Sequence, residues 1–141
     1  MAKKIVYRAG LIPYIVKDGV IHMLFMKPSK EKFGGDVFQL CKGKLEQGET
    51  PEQAAVREAK EELGFFTGNA DGEIHKLGVF MGRTTVFFVR VKDPDMFGEP
   101  HFETKETKWM TPEEFNQVGR GLHRPVIKAA VRAIKKVEGL S

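Results

Sequence analysis

Residues 43–65 read GKLEQGETPEQAAVREAKEELGF, and the second half of this stretch places several carboxylates on one predicted helix. Glu58, Glu61 and Glu62 are spaced i, i+3 and i+4, so their side chains project from one face of that helix. Three like charges at this spacing repel one another, which an ordinary solvated helix face avoids. Hard divalent cations such as Mg²⁺ prefer carboxylate oxygen ligands and offset the repulsion. The cluster therefore predicts a metal site, with a merely acidic surface helix as the alternative.

The residues around the cluster predict where its helix begins and ends. Thr50 is a favourable N-cap, Pro51 suits the first helical position and Gln53 completes a capping-box pattern. Gly64 stands where the end of a helix favours a residue that tolerates a positive φ. Together these signals predict a helix over about residues 51–63.

An apolar stripe predicts how this helix packs. The stripe is about 100° wide in a helical projection, and it contains Ala55, Val56, Ala59 and Leu63. Its alanines allow the helix to approach a sheet closely, and the glutamates fall beside it. We therefore expect the acidic edge to lie at the rim of the domain. The preceding residues 43–49 contain two glycines and predict a loop that brings backbone close to a ligand.

The stretch resembles the signature of the Nudix hydrolase family, G-x5-E-x7-R-E-U-x-E-E-x-G-U, in which U is a bulky aliphatic residue. The matching positions are Gly43, Glu49, Arg57, Glu58, Glu61, Glu62 and Gly64. Two positions depart from the strictest pattern, because Ala59 is small and Phe65 is aromatic where the signature has U. Both are packing positions, so the departures concern the seating of the helix rather than the chemistry.

The resemblance implies an activity and a cofactor. Nudix hydrolases cleave a nucleoside diphosphate linked to another moiety X, and they use Mg²⁺ or Mn²⁺. Such a metal screens the phosphate oxygens and acidifies bound water. By the resemblance, Glu58 and Glu62 are the main metal ligands, Glu61 assists them, and the Gly43 carbonyl completes the metal site.

Supporting residues are also implied by the resemblance. Arg57 is expected to orient a glutamate through a charge-assisted hydrogen bond, and Glu49 to position the loop or the metal. In relatives the general base is often a glutamate in the late loop before a Trp-bearing strand. Glu103 and Glu106 precede Trp109 by six and three residues, and we favour Glu103 as the base. The alternative is that both glutamates only solubilise the loop.

Cations and aromatic residues supply candidates for substrate binding. Lys42 and Lys44 flank Gly43, and this loop is more similar to family members that act on dinucleoside polyphosphates than to those that clean nucleoside triphosphates. Further candidates for phosphate contacts, with solvated side chains as the alternative, are Lys27, Lys30, Lys32 and Arg83. Candidates for stacking an adenine, with a place in the core as the favoured alternative, are Phe33, Phe38, Phe80 and Phe102. Three isolated histidines, expected to be surface or structural residues, are His22, His101 and His123.

Length and composition indicate one domain spanning residues 1–141. The 41% hydrophobic and 30% charged content is typical of a soluble globular protein, and no apolar run is long enough for a membrane helix. The start of the chain does not resemble a signal peptide. A single cysteine, Cys41, excludes an internal disulfide and suits a reducing cytoplasm, where we expect the protein to reside. The net charge of +4 favours anionic ligands such as nucleotides.

Strand and helix patterns alternate along the chain. The predicted strands, the first two joined by a turn at Asp18-Gly19, cover about 5–16, 20–26, 37–41, 74–81, 84–91 and 108–110. A polar loop is predicted over 92–107. A second helix is predicted to begin after Thr111, and a third at Pro125 with Val137 in its apolar stripe. This mixture indicates an α/β domain, and the resemblance implies an α/β/α sandwich with a mixed sheet.

The sequence therefore predicts a metal-dependent Nudix pyrophosphohydrolase. ADP-ribose, FAD and diadenosine polyphosphates are the leading substrates. The alternatives are a (d)NTP or oxidised-nucleotide pyrophosphohydrolase, an enzyme acting on RNA 5′ ends, and a non-catalytic nucleotide-sensing module. The expected partner is a nucleotide derivative rather than a membrane or a nucleic acid, and a homodimer is left open.

Overall fold

Six strands and three α-helices form within the residues that the computed structural model describes, which are 5–29, 37–101 and 103–141. The strands are β1 (Arg8–Lys17), β2 (Val20–Pro28), β3 (Cys41–Lys44), β4 (His75–Phe80), β5 (Thr84–Arg90) and β6 (Thr104–Met110). The α-helices are α1 (Pro51–Leu63), α2 (Pro112–Val118) and α3 (Arg124–Glu138). Short 3-10 helices cover Thr67–Asn69 and Gly121–His123. The predicted phosphate and adenine contacts at Lys30, Lys32, Phe33 and Phe102 lie outside the described residues.

All six of these strands belong to one mixed sheet, in the order β4-β5-β1-β2-β6, with β3 also paired to β1. β1 runs parallel to β5 on one side. On its other side β1 pairs with two strands in turn, because Arg8–Leu11 pair with β3 and Tyr14–Lys17 pair with β2. The two partners diverge around the middle of β1, and the divergence holds β3 at the end of the sheet where β1 begins.

Helices cover both faces of the sheet, which confirms the predicted α/β/α sandwich. On one face, the alanines of α1 pack with Leu11, Leu24, Phe87 and Val89 from the strands. On the other face, α2 and α3 contribute Phe115, Ile127 and Ile134 to a second core with Ile12 and Phe25. Two separate apolar clusters therefore sandwich the sheet. No helix among the described residues has the length and apolar character needed to cross a membrane.

Local signals place α1 as predicted. The Thr50 hydroxyl accepts a hydrogen bond from the Gln53 backbone N–H at 3.1 Å, and the Gln53 side chain accepts one from the Thr50 N–H at 2.9 Å. At the other end Gly64 adopts a left-handed conformation, with φ 78°. A Cβ at this position would also collide with the Gly98 carbonyl oxygen. Gly64 thus ends the helix and allows the loop after β5 to approach it.

Three predicted strand boundaries are wrong. The strand expected at 37–41 occupies Cys41–Lys44 instead, and Phe38 and Gln39 form only isolated bridges. β3 forms because its residues pair with the start of β1, although their composition is typical of a loop. The strand expected at 108–110 begins at Thr104 because its polar residues pair with β2, so the predicted loop over 92–107 is shorter. The first strand begins at Arg8, three residues later than expected.

Burial follows the predicted stripes with two exceptions. Val56 is only partly buried, and Ala54 takes a place in the core beside Ala55, Ala59 and Leu63. In α3, Val137 is 48% exposed, although its pattern predicted a buried position. At this end of α3 Leu140 packs against the second core and Glu138 accepts from the Tyr14 hydroxyl at 2.8 Å, so periodicity alone selects the wrong residues for the last contacts. Cys41 is buried, as a structural cysteine should be.

Candidate active site

A cavity of about 710 Å³ opens beside β3 and the acidic helix. Its acidic side carries Glu58, Glu61 and Glu62 from α1 together with Glu103 from the segment before β6. Its basic side carries Arg8 from β1, Lys42 and Lys44 from β3, and Arg120 from the segment after α2. Remaining lining residues are Met26, Pro28, Gln39, Leu40, Gly43, Glu46 and Arg57. Opposite charges therefore line a single cavity that is open to solvent.

Arg57 forms hydrogen bonds that hold the acidic side together. Its Nε and Nη2 donate to the two carboxylate oxygens of Glu49 at 2.7 and 2.9 Å, and its Nη1 donates to Glu58 Oε1 at 2.8 Å. Nη2 also donates to the Lys44 carbonyl oxygen at 2.9 Å. The hydrogen bond from Arg57 lowers the pKa of Glu49 to about 2, and the same bond raises the pKa of Arg57. Arg57 and Glu49 thus clamp the loop after β3 and fix the direction of the Glu58 carboxylate.

Gly43 is required by the approach of Glu58. A Cβ on Gly43 would overlap the Glu58 carboxylate carbon and both of its oxygens. Because β3 alternates sides, Gly43 and Cys41 face α1, while Lys42 and Lys44 face the opposite side of the strand. The helix therefore presses Glu58 against bare backbone. Only 9% of Glu58 is exposed, so the expectation that every glutamate lies at the rim is wrong for this residue.

Glu62 lies in the same confined space. Its Oε1 accepts a hydrogen bond from the Lys42 backbone N–H at 3.2 Å. Burial, the negative charge of Glu58 and a hydrogen bond between the two carboxyls together raise the pKa of Glu62 to about 8, with burial as the largest cause. Two carboxylates this close favour sharing a proton when no cation neutralises them.

The chemistry of this donor set fits a hard divalent cation. An ion of that kind would replace the proton that Glu62 retains and relieve the repulsion from Glu58. Within residues 5–29, 37–101 and 103–141, however, no group of three His, Cys, Asp or Glu side chains is already arranged to hold a metal. Glu58 is turned toward Arg57, and Glu61 lies 3.6 Å from the same guanidinium. The three-glutamate metal site accordingly remains a prediction.

The loop before β6 is tied to the end of α1. The N–H of Gly98 donates to the Gly64 carbonyl and that of His101 to the Glu61 carbonyl, both at 2.7 Å. Thr104 Oγ1 donates to the Glu62 carbonyl at 2.9 Å. These bonds use the free carbonyls of the helix C-terminus, and they bring the exposed side chain of Glu103 to the cavity.

Glu106, the competing candidate for the general base, is placed differently. It lies on β6 opposite Lys27 of β2 and does not line the cavity. The structure therefore brings Glu103, and not Glu106, together with the acidic residues of α1. The assignment of Glu103 as the base remains a prediction that this placement supports.

The basic side includes two residues that the sequence did not single out. Arg8 lies directly across from Lys44 in the β1–β3 ladder, and Gly10 lies across from Lys42. Arg120 follows α2, and its backbone N–H donates to the Phe38 carbonyl at 2.8 Å. Burial lowers the pKa of Lys42, and the charges of Arg120 and Arg8 lower it further. These cations are far apart in the sequence, so the fold and not a local motif brings them to one cavity.

Comparison with known proteins identifies the family. The family model described as NUDIX domain matches residues 8–130, which is most of the chain. The chain belongs to the Nudix hydrolase family. The family and enzyme class that the sequence predicted are thereby confirmed. No curated protein sequence matches this chain well enough to count as a relative.

Solved structures share the Nudix fold at low sequence identity. An Ap4A hydrolase from C. elegans, solved as a binary complex, has a TM-score of 0.76 and 21% identity, and the match covers 94% of this chain and 99% of that one. A mutT/nudix family protein from Listeria innocua has a TM-score of 0.72 and 21% identity, over 99% and 100% of the two chains. The NUDIX domain of NrtR from Shewanella oneidensis, complexed with ADP ribose, has a TM-score of 0.71 and 14% identity, over 94% and 90%. At these identities the likeness establishes the fold alone.

Other predicted binding residues lie away from this Nudix cavity. Arg83 is exposed in the turn between β4 and β5 and does not line the cavity, although its carbonyl accepts from the Arg8 N–H. Lys27 extends over the ring of Phe38, with its Nζ 4.7 Å from the centroid. Phe38 and Phe80 pack with the second core, which leaves their rings committed to packing. These two phenylalanines therefore belong to the core, which was the favoured alternative to stacking an adenine.

His123 is structural, as expected, but it is fully buried rather than on the surface. Its Nδ1 accepts a hydrogen bond from the Leu40 N–H at 3.1 Å. Burial, with the charges of Lys42 and Arg120, lowers the pKa of His123 to about 3. Within the described residues its Nε2 has no hydrogen-bond partner. The ring stays neutral and supports the segment that leads into β3.

Proposed function

We propose that this Nudix hydrolase cleaves a phosphoanhydride bond in a nucleoside diphosphate linked to another moiety, with Mg²⁺ or Mn²⁺ as cofactor. ADP-ribose, FAD and diadenosine polyphosphates are the leading substrates. One observation carries the proposal: a single cavity is lined both by the carboxylates of α1 and by several cations. Carboxylates suit a divalent metal and cations suit phosphate oxygens, and a metal-dependent phosphoanhydride hydrolase needs both.

The acidic side has the residue types needed for the reaction. Glu58 and Glu62, assisted by Glu61 and the Gly43 carbonyl, would hold the metal. When bound, the metal supplies charge neutralisation at the phosphate and lowers the pKa of water. Arg57 keeps Glu58 in place through its hydrogen bond and does not need to touch the substrate. Glu103 faces the same cavity, where it would take a proton from the attacking water.

The basic side favours substrates with bridged or extended phosphates. Lys42 and Lys44 lie on either side of Gly43, and they line the same cavity as the proposed metal ligands. In a bridged substrate a second moiety follows the phosphates, so the phosphates cannot end at the metal and must lie along the cavity. There they gain from the neighbouring cations of β3. We therefore expect ADP-ribose, FAD or a diadenosine polyphosphate to be preferred over single nucleoside triphosphates.

A substrate panel with Mg²⁺ tests this function directly. At least one of the three leading substrates should give a kcat/KM about tenfold or more above any nucleoside triphosphate, which corresponds to about 1.4 kcal/mol of transition-state binding. Activity should disappear in excess EDTA and should rise from about pH 6 to 9 as the attacking water or its base loses a proton. If dGTP or oxidised dGTP leads the panel, the triphosphate alternative is correct. Binding without turnover would instead assign the chain to nucleotide sensing.

Substitution of the two lysines tests the basis of the preference. Changing Lys42 and Lys44 to Gln should narrow the gap between bridged substrates and triphosphates, because both cations are removed without altering the strand backbone. The matched control changes Lys76 and Lys92, two exposed lysines outside the cavity, to Gln. An equal change in both double variants would show only an effect of net charge.

A further inference from the structure

Arg8, Lys42 and Arg120 form a cluster that three separate segments of the chain build. β1 supplies the first, β3 the second, and the turn between α2 and the short helix Gly121–His123 the third. All three side chains line the cavity, and all three residues are partly buried. Because they line the same cavity, their positive charges face one common space.

The cluster forms no salt bridge in the part of the chain that the structure describes, and the nearest acidic influence on it is the charge of Glu62, which acts on Lys42. Every salt bridge there involves Arg57 or Arg90. Among the described residues, the cluster's side chains also donate none of the side-chain hydrogen bonds. Arg57, by contrast, is fully engaged with carboxylates and a carbonyl a short distance away. Partly buried positive charges that repel one another are stabilised by an anion.

The geometry of the cavity indicates which anion this is. Guanidinium groups bind phosphoryl oxygens with paired hydrogen bonds, and a lysine adds a point charge. Lys42 faces the side of β3 opposite α1, whose carboxylates, under the proposed function, hold the metal at the scissile phosphates. The cations are therefore placed for phosphoryl groups farther along the substrate.

We propose that Arg8, Lys42 and Arg120 form an anion site for phosphoryl groups beyond the scissile linkage, and that this site selects the length of the phosphate chain. The inference rests on the proposed function for its substrate, but the site itself can be tested by binding alone. Arg120 is the best residue to change. Its contact with Phe38 uses the backbone N–H, so Arg120→Gln retains that contact.

The first experiment measures inorganic tripolyphosphate binding by calorimetry in EDTA, with the full chain. Arg120→Gln should bind about tenfold more weakly than wild type, the change expected from loss of a charge-assisted hydrogen bond. Arg132→Gln, at an exposed position of α3 outside the cavity, should bind as wild type does. Wild type without measurable binding, or Arg120→Gln with unchanged affinity, would overturn the anion site.

The second experiment compares a dinucleoside tetraphosphate with ADP-ribose as substrates. Arg120→Gln should raise KM for the tetraphosphate about tenfold with kcat unchanged, since binding beyond the scissile linkage is lost. ADP-ribose, with only two phosphates, should show no comparable change. Equal KM changes for the two substrates would overturn the selection by length.

The two experiments separate this inference from the proposed function. If no nucleotide is hydrolysed but tripolyphosphate binding still depends on Arg120, the anion site stands and the proposed activity fails. If nucleotides are hydrolysed but Arg120→Gln changes neither tripolyphosphate binding nor any KM, the activity stands and the anion site fails.

Discussion

The acidic and basic sides of the cavity are built in opposite ways. The acidic side comes mainly from one continuous helix, whose three glutamates lie within five residues of one another. Arg57 and Glu49 hold it in a dense set of hydrogen bonds. The basic side is assembled from β1, β3 and the segment after α2, and its cations form no ion pairs within the described residues.

This difference shows which side of the cavity has its charges paired within the protein and which side does not. The acidic side has internal partners, so removing one charge there disturbs a network as well as the proposed metal site. The cations of the basic side form no ion pairs among the described residues, so this side is suited to binding an anionic ligand. Substitutions on the acidic side should therefore act mainly on kcat, while those on the basic side should act mainly on KM.

The largest effect is expected from the metal ligands. Glu58→Gln and Glu62→Gln should each lower kcat by about 10³ or more, because each removes a negative charge from the proposed metal site. Gln retains the size of the side chain and an oxygen that can accept from Arg57 or from the Lys42 N–H. Both variants should remain folded, which circular dichroism and thermal unfolding would check. Turnover close to wild type in folded Glu62→Gln would remove the metal assignment.

Glu103 is expected to produce the next largest effect. If it is the general base, Glu103→Gln should lower kcat by about 10²–10⁴ with little change in KM. Glu106→Gln is the matched control, because Glu106 is also exposed but lies on β6 outside the cavity. Similar small effects in the two variants would mean that the base lies within α1 and that both residues only keep the segment soluble.

Local signals account for the parts of the fold that the sequence predicted well. The caps of α1 depend on Thr50, Gln53 and Gly64, which act on neighbouring backbone groups, so the helix boundaries follow from the sequence alone. The position of β3 does not, because Lys42-Gly43-Lys44 becomes a strand only through its ladder with the first residues of β1. Tertiary pairing determines such boundaries, and no local pattern encodes it.

The same distinction applies to the site. The glutamates of α1 could be found because their spacing on one helix carries the signal. Arg8 and Arg120 could not be found, because 112 positions of sequence separate them and only the fold brings both to the cavity. The burial of Glu58 was missed for a similar reason. It depends on the absence of a side chain at Gly43, on a different element.

Two glycines beside the acidic side should separate activity from stability. Gly43→Ala would push aside the Glu58 carboxylate, the end of a flexible side chain, so activity should fall at least about tenfold while the fold persists. Gly64→Ala would force a left-handed residue against the Gly98 carbonyl, and its free energy of unfolding should fall by about 1 kcal/mol or more. Urea unfolding and kcat, measured for both variants, check the contrast. Equal loss of stability in the two would contradict the proposed displacement of Glu58.

The smallest effect concerns the metal-free protein and its response to pH. The pKa of Glu62 is raised from 4.5 to about 8 in the folded state, so folded Glu62 holds a proton that the unfolded chain has released. This contribution makes the folded state less stable as pH rises between those values. His123 acts in the opposite sense between about pH 3 and 6.5, because burial keeps it neutral in the folded state. Above pH 6.5 the Glu62 contribution to the free energy of unfolding should therefore be visible.

In EDTA, wild type should lose stability relative to Glu62→Gln between pH 6.5 and 8, as measured by urea unfolding. Saturating Mg²⁺ should abolish the loss because the cation replaces the proton. Parallel pH profiles for the two proteins in EDTA would show that folded Glu62 does not retain a proton. The acidic side would then lack the unmet charge that distinguishes a metal site from an acidic helix.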